Sequence, residues 1–261
     1  MTIWLAMLLG LVQGLCEFLP VSSSGHLVLL QNIFNISEGA LFFDTMLHVG
    51  TLAAVVAVYY RELWALVKKP FQKRVYMLVL ACVVTALFWF LLEDVFTEAF
   101  TGKFLGFGFL LTALILFMME KLARGRRSVE KMRAYEALAI GAMQGIAILP
   151  GVSRSGSTIA GARLFGLSKE EAAQFSFILS IPVILGALLL QLPDAVTAGT
   201  GGIPWAAIAV GTLVSAVSGY FAIRWMLRLI VKKSLMGFAA YTLVLGVFVL
   251  LDQLVTNLFF A

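Results

Sequence analysis

The chain has 261 residues, of which 61% are hydrophobic and only 13% are charged, and its formal net charge is +5. In a soluble domain of this length about a quarter of the residues are charged. The composition therefore excludes an ordinary soluble domain and indicates that most of the surface faces lipid. The positive charge lies in clusters between apolar runs, which is typical of cytoplasmic loops and not of a surface that binds nucleic acid.

The apolar runs, taken in chain order, predict six membrane-spanning helices, because a span needs roughly 20 apolar residues. We place the spans at about 40–60, 75–92, 103–119, 170–192, 204–223 and 235–257. Basic clusters at 61–74, 121–133 and 224–233 set the orientation, since loops rich in Lys and Arg stay in the cytoplasm. Both termini and the acidic or neutral loops are therefore predicted to lie outside.

Two further apolar stretches lie at about 1–36 and 135–167. In this topology the first begins and ends outside and the second begins and ends inside, so neither can cross the membrane an odd number of times. Each carries a Pro/Gly/Ser break at its middle, and we interpret each as a re-entrant helical hairpin. Irregular backbone at membrane depth is tolerated only where it is buried in protein or lines a wet cavity. The predicted fold class is an all-α polytopic membrane protein with six transmembrane helices and two re-entrant hairpins.

The two breaks resemble each other at an offset of 131 residues (144 − 13). Gln13-Gly14-Leu15 matches Gln144-Gly145-Ile146, Leu19-Pro20 matches Leu149-Pro150, and Val21-Ser22-Ser23-Ser24-Gly25 matches Val152-Ser153-Arg154-Ser155-Gly156. We therefore predict a single membrane domain, 1–261, built as an inverted-topology repeat with halves 1–119 and 135–257. In such folds the binding site lies near the interface between the repeats, at the broken helices.

The first break combines a carboxylate with the start of a helix. Gln13 and Glu17 are four residues apart and share one helix face. Pro20 disfavours a helical conformation in the residue before it and is predicted to end the first helix. The serines at 22–24 then suit a new helix start, where hydroxyls cap free N–H groups and the positive end of the helix attracts anions.

The second break adds Arg154, whose guanidinium can hold two phosphate oxygens at once. An ionisable residue at membrane depth indicates a functional site by default, and Glu17, His26 and Arg154 all qualify. Together these groups suit phosphoryl transfer, with a serine or a water as the attacking group and with His26 or Glu17 moving the proton.

Other interpretations of the same residues remain open. Inverted repeats with broken helices are also the architecture of many carriers, so a lipid-phosphate transporter or flippase is the main alternative. The Ser24-Gly25-His26 sequence raises a third hypothesis, an intramembrane serine protease. We expect His48 to lie away from both breaks with a structural role, and Glu136 to be solvated at the cytoplasmic face.

Two motifs resemble those of the undecaprenyl pyrophosphate phosphatase family, known for bacitracin resistance. They are a (Glu/Gln)-x-x-x-Glu element leading into Pro-Val-Ser-Ser-x-Gly-His, at 13–26, and Pro-Gly-x-Ser-Arg-Ser-Gly, at 150–156. The resemblance implies hydrolysis of undecaprenyl diphosphate to the monophosphate and phosphate, at an outward-facing site in the bacterial inner membrane. It also implies a divalent cation, Mg²⁺ or Ca²⁺, and the fold described above; a homodimer is compatible with it.

The resemblance assigns the catalytic roles by motif position to Glu17, Ser23, His26 and Arg154. Glu17 and Gln13 are the candidate metal ligands, although Gln13, which the motif allows in place of its first acidic residue, brings a carbonyl oxygen and no charge. Phosphate binding is assigned to the remaining hydroxyls of the two breaks: Ser22, Ser24, Ser153, Ser155, Ser157 and Thr158.

Overall fold

Helices form the regular elements of the chain in a computed structural model that describes residues 1–36 and 39–260. They are α1 Ile3–Phe18, α2 Ser23–Ile33, α3 Ala40–Lys68, α4 Lys73–Ala99, α5 Leu105–Leu122, α6 Ala134–Ile146, α7 Arg154–Leu164, α8 Lys169–Ala198, α9 Trp205–Lys232 and α10 Met236–Leu251. A 3₁₀ turn lies at Val129–Lys131, and a π-helical turn, Asp252–Thr256, continues α10.

Six helices are long and apolar enough to cross a bilayer, which confirms the predicted number of spans: α3, α4, α5, α8, α9 and α10 with its π turn. The helices α3 and α9 continue into basic residues past the predicted ends, to Lys68 and Lys232. Such side chains can bury their stems while their charges reach the membrane surface. Large apolar side chains such as Leu91 and Val244 are exposed on these helices, so the protein is a multi-pass membrane protein.

The two predicted breaks separate two pairs of shorter helices, which we name hairpin 1 (α1 and α2) and hairpin 2 (α6 and α7). In hairpin 1, α1 ends at Phe18 and α2 starts after its N-cap Ser22, whose side chain accepts a bond from the Gly25 N–H. In hairpin 2, Ser153 caps α7 by the equivalent bond from the Gly156 N–H. The sequence-based placement of both breaks is confirmed.

Each hairpin packs against a long helix from the other half of the chain. The helix α1 lies against α9, and α6 lies against α4. Small residues permit this, as a Cβ at Gly10 would lie 2.3 Å from the carbonyl oxygen of Gly211 and one at Gly141 would lie 2.5 Å from that of Ala81. The two halves are therefore interlocked, and neither hairpin is held by its own half alone.

The expectation of a solvated Glu136 was wrong. Its side chain is only 3% exposed and pairs with Arg127, with Nη1 and Oε1 3.0 Å apart. Arg127 also donates to the carbonyl oxygen of Phe165, so the connecting loop folds back over the start of α6. A buried carboxylate requires such a partner, and the charge pattern of the sequence did not identify it.

We predict that Gly10→Ala destabilises the protein by about 1–3 kcal/mol, because the new methyl group forces α1 away from α9. The matched control is Gly186→Ala within α8, where a Cβ meets no other described atom within 4 Å. The control should be neutral or slightly stabilising, since Ala favours helix over Gly by up to about 1 kcal/mol. Thermal unfolding in detergent compares the two variants. Equal unfolding midpoints for Gly10→Ala and Gly186→Ala would contradict the close packing of α1 against α9.

Candidate active site

Glu17 lies on the last turn of α1 and receives hydrogen bonds from both hairpins. Arg154 of hairpin 2 donates to Oε1 at 2.7 Å, and Ser23 of hairpin 1 donates to Oε2 at 2.5 Å. Gln13, one turn earlier, donates to Oε2 at 3.0 Å. The carboxylate is 7% exposed, and burying it is tolerated because it is paired and hydrogen-bonded. The structure therefore brings together three of the predicted catalytic residues and the candidate metal ligand Gln13.

Arg154 has hydrogen-bonding capacity beyond its bond to Glu17. It is the first residue of α7, and its side chain is 14% exposed. Its Nη1 group is buried and has no hydrogen-bond partner among the described residues. An unsatisfied buried donor in a folded protein calls for an explanation. A guanidinium binds phosphate through two parallel N–H groups, so Nη1 is suited to an incoming phosphate oxygen.

The N-termini of α2 and α7 lie at the same region between the two hairpins. The helices α2 and α7 begin at Ser23 and Arg154, which occupy equivalent positions after the capping residues Ser22 and Ser153. A helix start carries a partial positive charge and unsatisfied donors, and both favour an anion. Ser22 also adopts a φ of 71°, which is uncommon for a residue other than glycine and indicates local strain.

Direct contacts hold the tips of the two hairpins in register. The Ser155 hydroxyl donates to the Leu19 carbonyl at 2.9 Å. A Cβ at Gly25 would lie 2.7 Å from the Gly151 nitrogen, so the start of α2 packs directly against the turn of hairpin 2. Thr112 of α5 accepts from the Ser153 N–H at 2.8 Å and supports that turn from behind.

A small cavity of about 30 Å³ lies between the tips. It is lined by Cys16, Glu17, Ser22, Ser23, Ser24, Ala147, Val152, Ser153 and Arg154. A buried water needs about 10–15 Å³, so the cavity has room for about two waters. A phosphate group with its four oxygens is larger than two waters.

Three of the hydroxyls assigned to phosphate do not line this cavity: Ser155, Ser157 and Thr158. Ser155 binds the Leu19 carbonyl, and Thr158 bonds to the Arg154 carbonyl at 2.9 Å and to the Ser176 hydroxyl at 2.6 Å. These two therefore support the hairpin backbone in this structure. The buried Ser157 hydroxyl has no hydrogen-bond partner within the described residues.

His26 is buried, with 8% exposure, and both of its ring nitrogens are engaged outside the Glu17 cluster. Its Nδ1 lies 2.6 Å from the Ser22 carbonyl oxygen, and its Nε2 lies 2.7 Å from the hydroxyl of Tyr241. A serine protease needs a serine hydroxyl within hydrogen-bond reach of the imidazole. The partners found here, a backbone carbonyl and a tyrosine, do not support that hypothesis.

His48 was predicted to lie away from both breaks, and this prediction was wrong. Its Nε2 lies 4.0 Å from Glu17 Oε2, while its Nδ1 bonds to the Asp44 carbonyl. The rotation of α3 about its own axis directs the imidazole toward the end of α1. The local sequence does not reveal this rotation. The signal that selected His26, an ionisable side chain at membrane depth, would have selected His48 as well.

The residues present fit a divalent cation only together with a substrate. The described residues contain no group of three or more His, Cys, Asp or Glu side chains that could hold a metal ion. Glu17 is the nearby carboxylate, and the buried Oε1 of Gln13 has no described hydrogen-bond partner. Mg²⁺ is commonly bound by one or two carboxylates plus substrate phosphates, and Glu17 is the carboxylate that lines the cavity.

Comparisons with known proteins confirm the resemblance seen in the motifs. The family described as "Bacitracin resistance protein BacA" matches residues 6–248. An undecaprenyl-diphosphatase of Carboxydothermus hydrogenoformans is 45% identical, over 95% of this chain and 96% of that protein. Undecaprenyl-diphosphatase 3 of Bacillus cereus is 41% identical, over 96% of this chain and 97% of that protein. An undecaprenyl-diphosphatase of Halothermothrix orenii is 38% identical, over 96% of this chain and 98% of that protein. The chain therefore belongs to the bacitracin resistance protein BacA family.

Proposed function

We propose that this protein hydrolyses undecaprenyl diphosphate to undecaprenyl phosphate and inorganic phosphate, which recycles the lipid carrier for cell-wall synthesis and gives bacitracin resistance. The observation that carries the proposal is the meeting of Glu17, Ser23 and Arg154 at two helix N-termini. A proton acceptor, a hydroxyl and a phosphate-binding guanidinium are the groups that phosphoryl transfer uses. Family membership and the relatives' printed names support the lipid substrate.

In this proposal the two hairpins are re-entrant. Their helices have 16 and 11 residues in hairpin 1 and 13 and 11 residues in hairpin 2. At 1.5 Å per residue they extend about 16–24 Å. A hydrocarbon core of about 30 Å is thicker than any of them. Each hairpin then places a turn and a helix start at membrane depth, where the lipid diphosphate group can be met.

The proposed inverted repeat is supported by contacts that recur at the same offset. Gly14 packs against Gly219, and Gly145 packs against Phe88. The two pairs are related by 131 residues in both members (145 − 14 and 219 − 88). The halves 1–119 and 135–257 would then share one fold and insert their hairpins from opposite faces. A site at the interface between repeats follows from this arrangement.

The proposed orientation places the basic clusters at 61–74, 121–133 and 224–233 in the cytoplasm. Both termini and the open ends of hairpin 1 then face outward, and the site is reached from the outer face of the bacterial inner membrane. The substrate's lipid chain would lie among the spans in the hydrocarbon core. A homodimer is compatible with this arrangement, and we expect no nucleic acid partner.

Two chemical routes use the same geometry. In the first, Ser23 Oγ attacks the terminal phosphorus while Glu17, bonded to that hydroxyl at 2.5 Å, takes its proton. The bond from that phosphorus to the bridging oxygen breaks, undecaprenyl phosphate leaves, and water then hydrolyses the phosphoserine. In the second, Glu17 takes a proton from a water that attacks the terminal phosphorus directly, the bond from that phosphorus to the bridging oxygen breaks, and undecaprenyl phosphate leaves while Ser23 holds the phosphate in place.

In both routes Arg154 and the N-termini of α2 and α7 stabilise the negative charge of the phosphate. The hydroxyls at 22, 24 and 153 line the cavity and would donate to its oxygens, while those at 155, 157 and 158 would support them. His26 would take part in proton transfer from its own position on the first turn of α2, outside the Glu17 cluster. A bound Mg²⁺ or Ca²⁺ would supply further neutralisation of phosphate charge, with Glu17 and Gln13 as its protein ligands.

The alternative is a lipid-phosphate transporter or flippase with the same fold. The paired broken helices favour it, because carriers place their substrate at such breaks. Proteoliposomes distinguish the two functions. A carrier moves labelled lipid phosphate between leaflets without releasing phosphate. The enzyme releases phosphate from the lipid diphosphate that reaches its site.

We expect Arg154→Ala, Glu17→Ala and His26→Ala each to lower turnover at least about a hundredfold, because losing one stabilising donor at such a site costs about 3 kcal/mol in the barrier. Phosphate release from undecaprenyl diphosphate by purified protein measures this. The matched control is Arg228→Ala, an exposed arginine of the cytoplasmic end of α9, which should retain wild-type turnover.

Removing one member of a buried ion pair also destabilises the fold, so turnover is compared at equal amounts of folded protein. Glu17→Gln, which keeps the shape of the side chain, serves as a second variant. Equal phosphate release by wild type and by Arg154→Ala would show that the assigned site is wrong.

We expect single cysteines at both ends of hairpin 1, Thr2→Cys and Asn35→Cys, to react with an impermeant maleimide from outside in a variant lacking Cys16 and Cys82. Phe71→Cys, in the fully exposed loop between α3 and α4, should react only after permeabilisation. Labelling of positions 2 and 35 from opposite sides would mean that hairpin 1 crosses the membrane.

We expect a chelator to abolish phosphate release and added Mg²⁺ or Ca²⁺ to restore it. Gln13→Ala should raise the cation concentration needed for half-maximal activity by at least about tenfold, since it removes a ligand. Gln144→Ala is the matched control, because Gln144 is equally buried and its Nε2 donates to Thr85. Full activity after chelation would contradict the cation site.

A further inference from the structure

Tyr241 makes a contact with His26 that neither sequence motif contains. Its hydroxyl lies 2.7 Å from His26 Nε2, although the two residues are 215 positions apart in the chain. Tyr241 belongs to α10 and His26 to α2, so the contact joins the two halves of the protein. The tyrosine is 47% exposed, yet its polar end reaches a buried imidazole.

The hydrogen bonds of His26 determine which ring nitrogen carries the proton. A carbonyl oxygen only accepts, so the 2.6 Å contact between Nδ1 and the Ser22 carbonyl requires a proton on Nδ1. In the neutral imidazole Nε2 then holds a lone pair, and the Tyr241 hydroxyl donates to it. The Tyr241 hydroxyl therefore occupies the Nε2 lone pair, and the two contacts together fix the tautomer and the orientation of the ring.

Aromatic packing keeps the imidazole in this orientation. The Tyr241 and His26 rings are stacked, with centroids 5.7 Å apart and planes 12° from parallel. Phe109 of α5 packs edge-on against the same imidazole at 5.4 Å. The ring is thus held between two helices from different halves, and the Tyr241 hydroxyl fixes the one remaining direction, that of the Nε2 lone pair.

We propose that Tyr241 is a positioning residue for phosphate release, holding the neutral His26 imidazole in one tautomer and one orientation. This inference rests on the proposed function, because it assumes that His26 takes part in the hydrolysis. Tyr241 itself need not touch the phosphate. Its hydroxyl acts through the imidazole, because it is the hydrogen-bond partner of Nε2.

The test is Tyr241→Phe, which keeps the stacked ring and removes only the hydroxyl. We expect kcat for phosphate release from undecaprenyl diphosphate to fall about tenfold, the effect of one hydrogen bond, with KM and the thermal unfolding midpoint little changed. In a His26→Ala background the same substitution should cause no further loss, because the residues act as one unit. Tyr76→Phe, at an exposed tyrosine of α4, is the control and should match wild type.

Each other outcome identifies a different failure. Unchanged kcat in Tyr241→Phe would overturn the inference while leaving the proposed function intact. A tenfold loss that persists in the His26→Ala background would show that Tyr241 acts independently of the imidazole, which also overturns it. Absence of phosphate release by wild-type protein would reject the proposed function itself, whatever Tyr241 does.

Discussion

The ion pair between Glu17 and Arg154 is the interaction on which the rest of the site depends. Taking a carboxylate and a guanidinium out of water costs several kcal/mol for each ion, and only close pairing with further hydrogen bonds offsets this cost. Here the pair is 2.7 Å long and Ser23 and Gln13 complete the shell of the carboxylate. Because the partners lie on different hairpins, the pair requires both tips to meet at one depth.

In the proposed reaction the same pair would link substrate binding to the start of the chemistry. Arg154 is bonded to Glu17 on one side and has an unsatisfied Nη1 on the other among the described residues, and a small cavity lies beside it. An arriving phosphate would compete with the carboxylate for the guanidinium. Glu17 would then keep its hydrogen bond to Ser23 while losing its bond to Arg154.

The sequence was sufficient to predict the features that depend on local pattern and charge. Six spans follow from apolar length, and the breaks before Ser22 and Ser153 follow from proline and capping chemistry. The approach of Glu17 to Arg154 was expected from the resemblance between the two breaks. The positions of His48 and Tyr241 depend instead on how α3 and α10 are rotated against distant helices. Packing of remote surfaces determines that rotation, and a short sequence window does not record it.

An experimental structure with a non-hydrolysable polyprenyl diphosphate analogue bound would test the site most directly. We expect the terminal phosphate to lie between the hairpin tips, with its oxygens about 3 Å from the Arg154 guanidinium and the Ser23 hydroxyl. We also expect the bond between Arg154 and Glu17 to lengthen or break. A phosphate bound elsewhere, with that ion pair undisturbed, would show that the ion pair is not the substrate site.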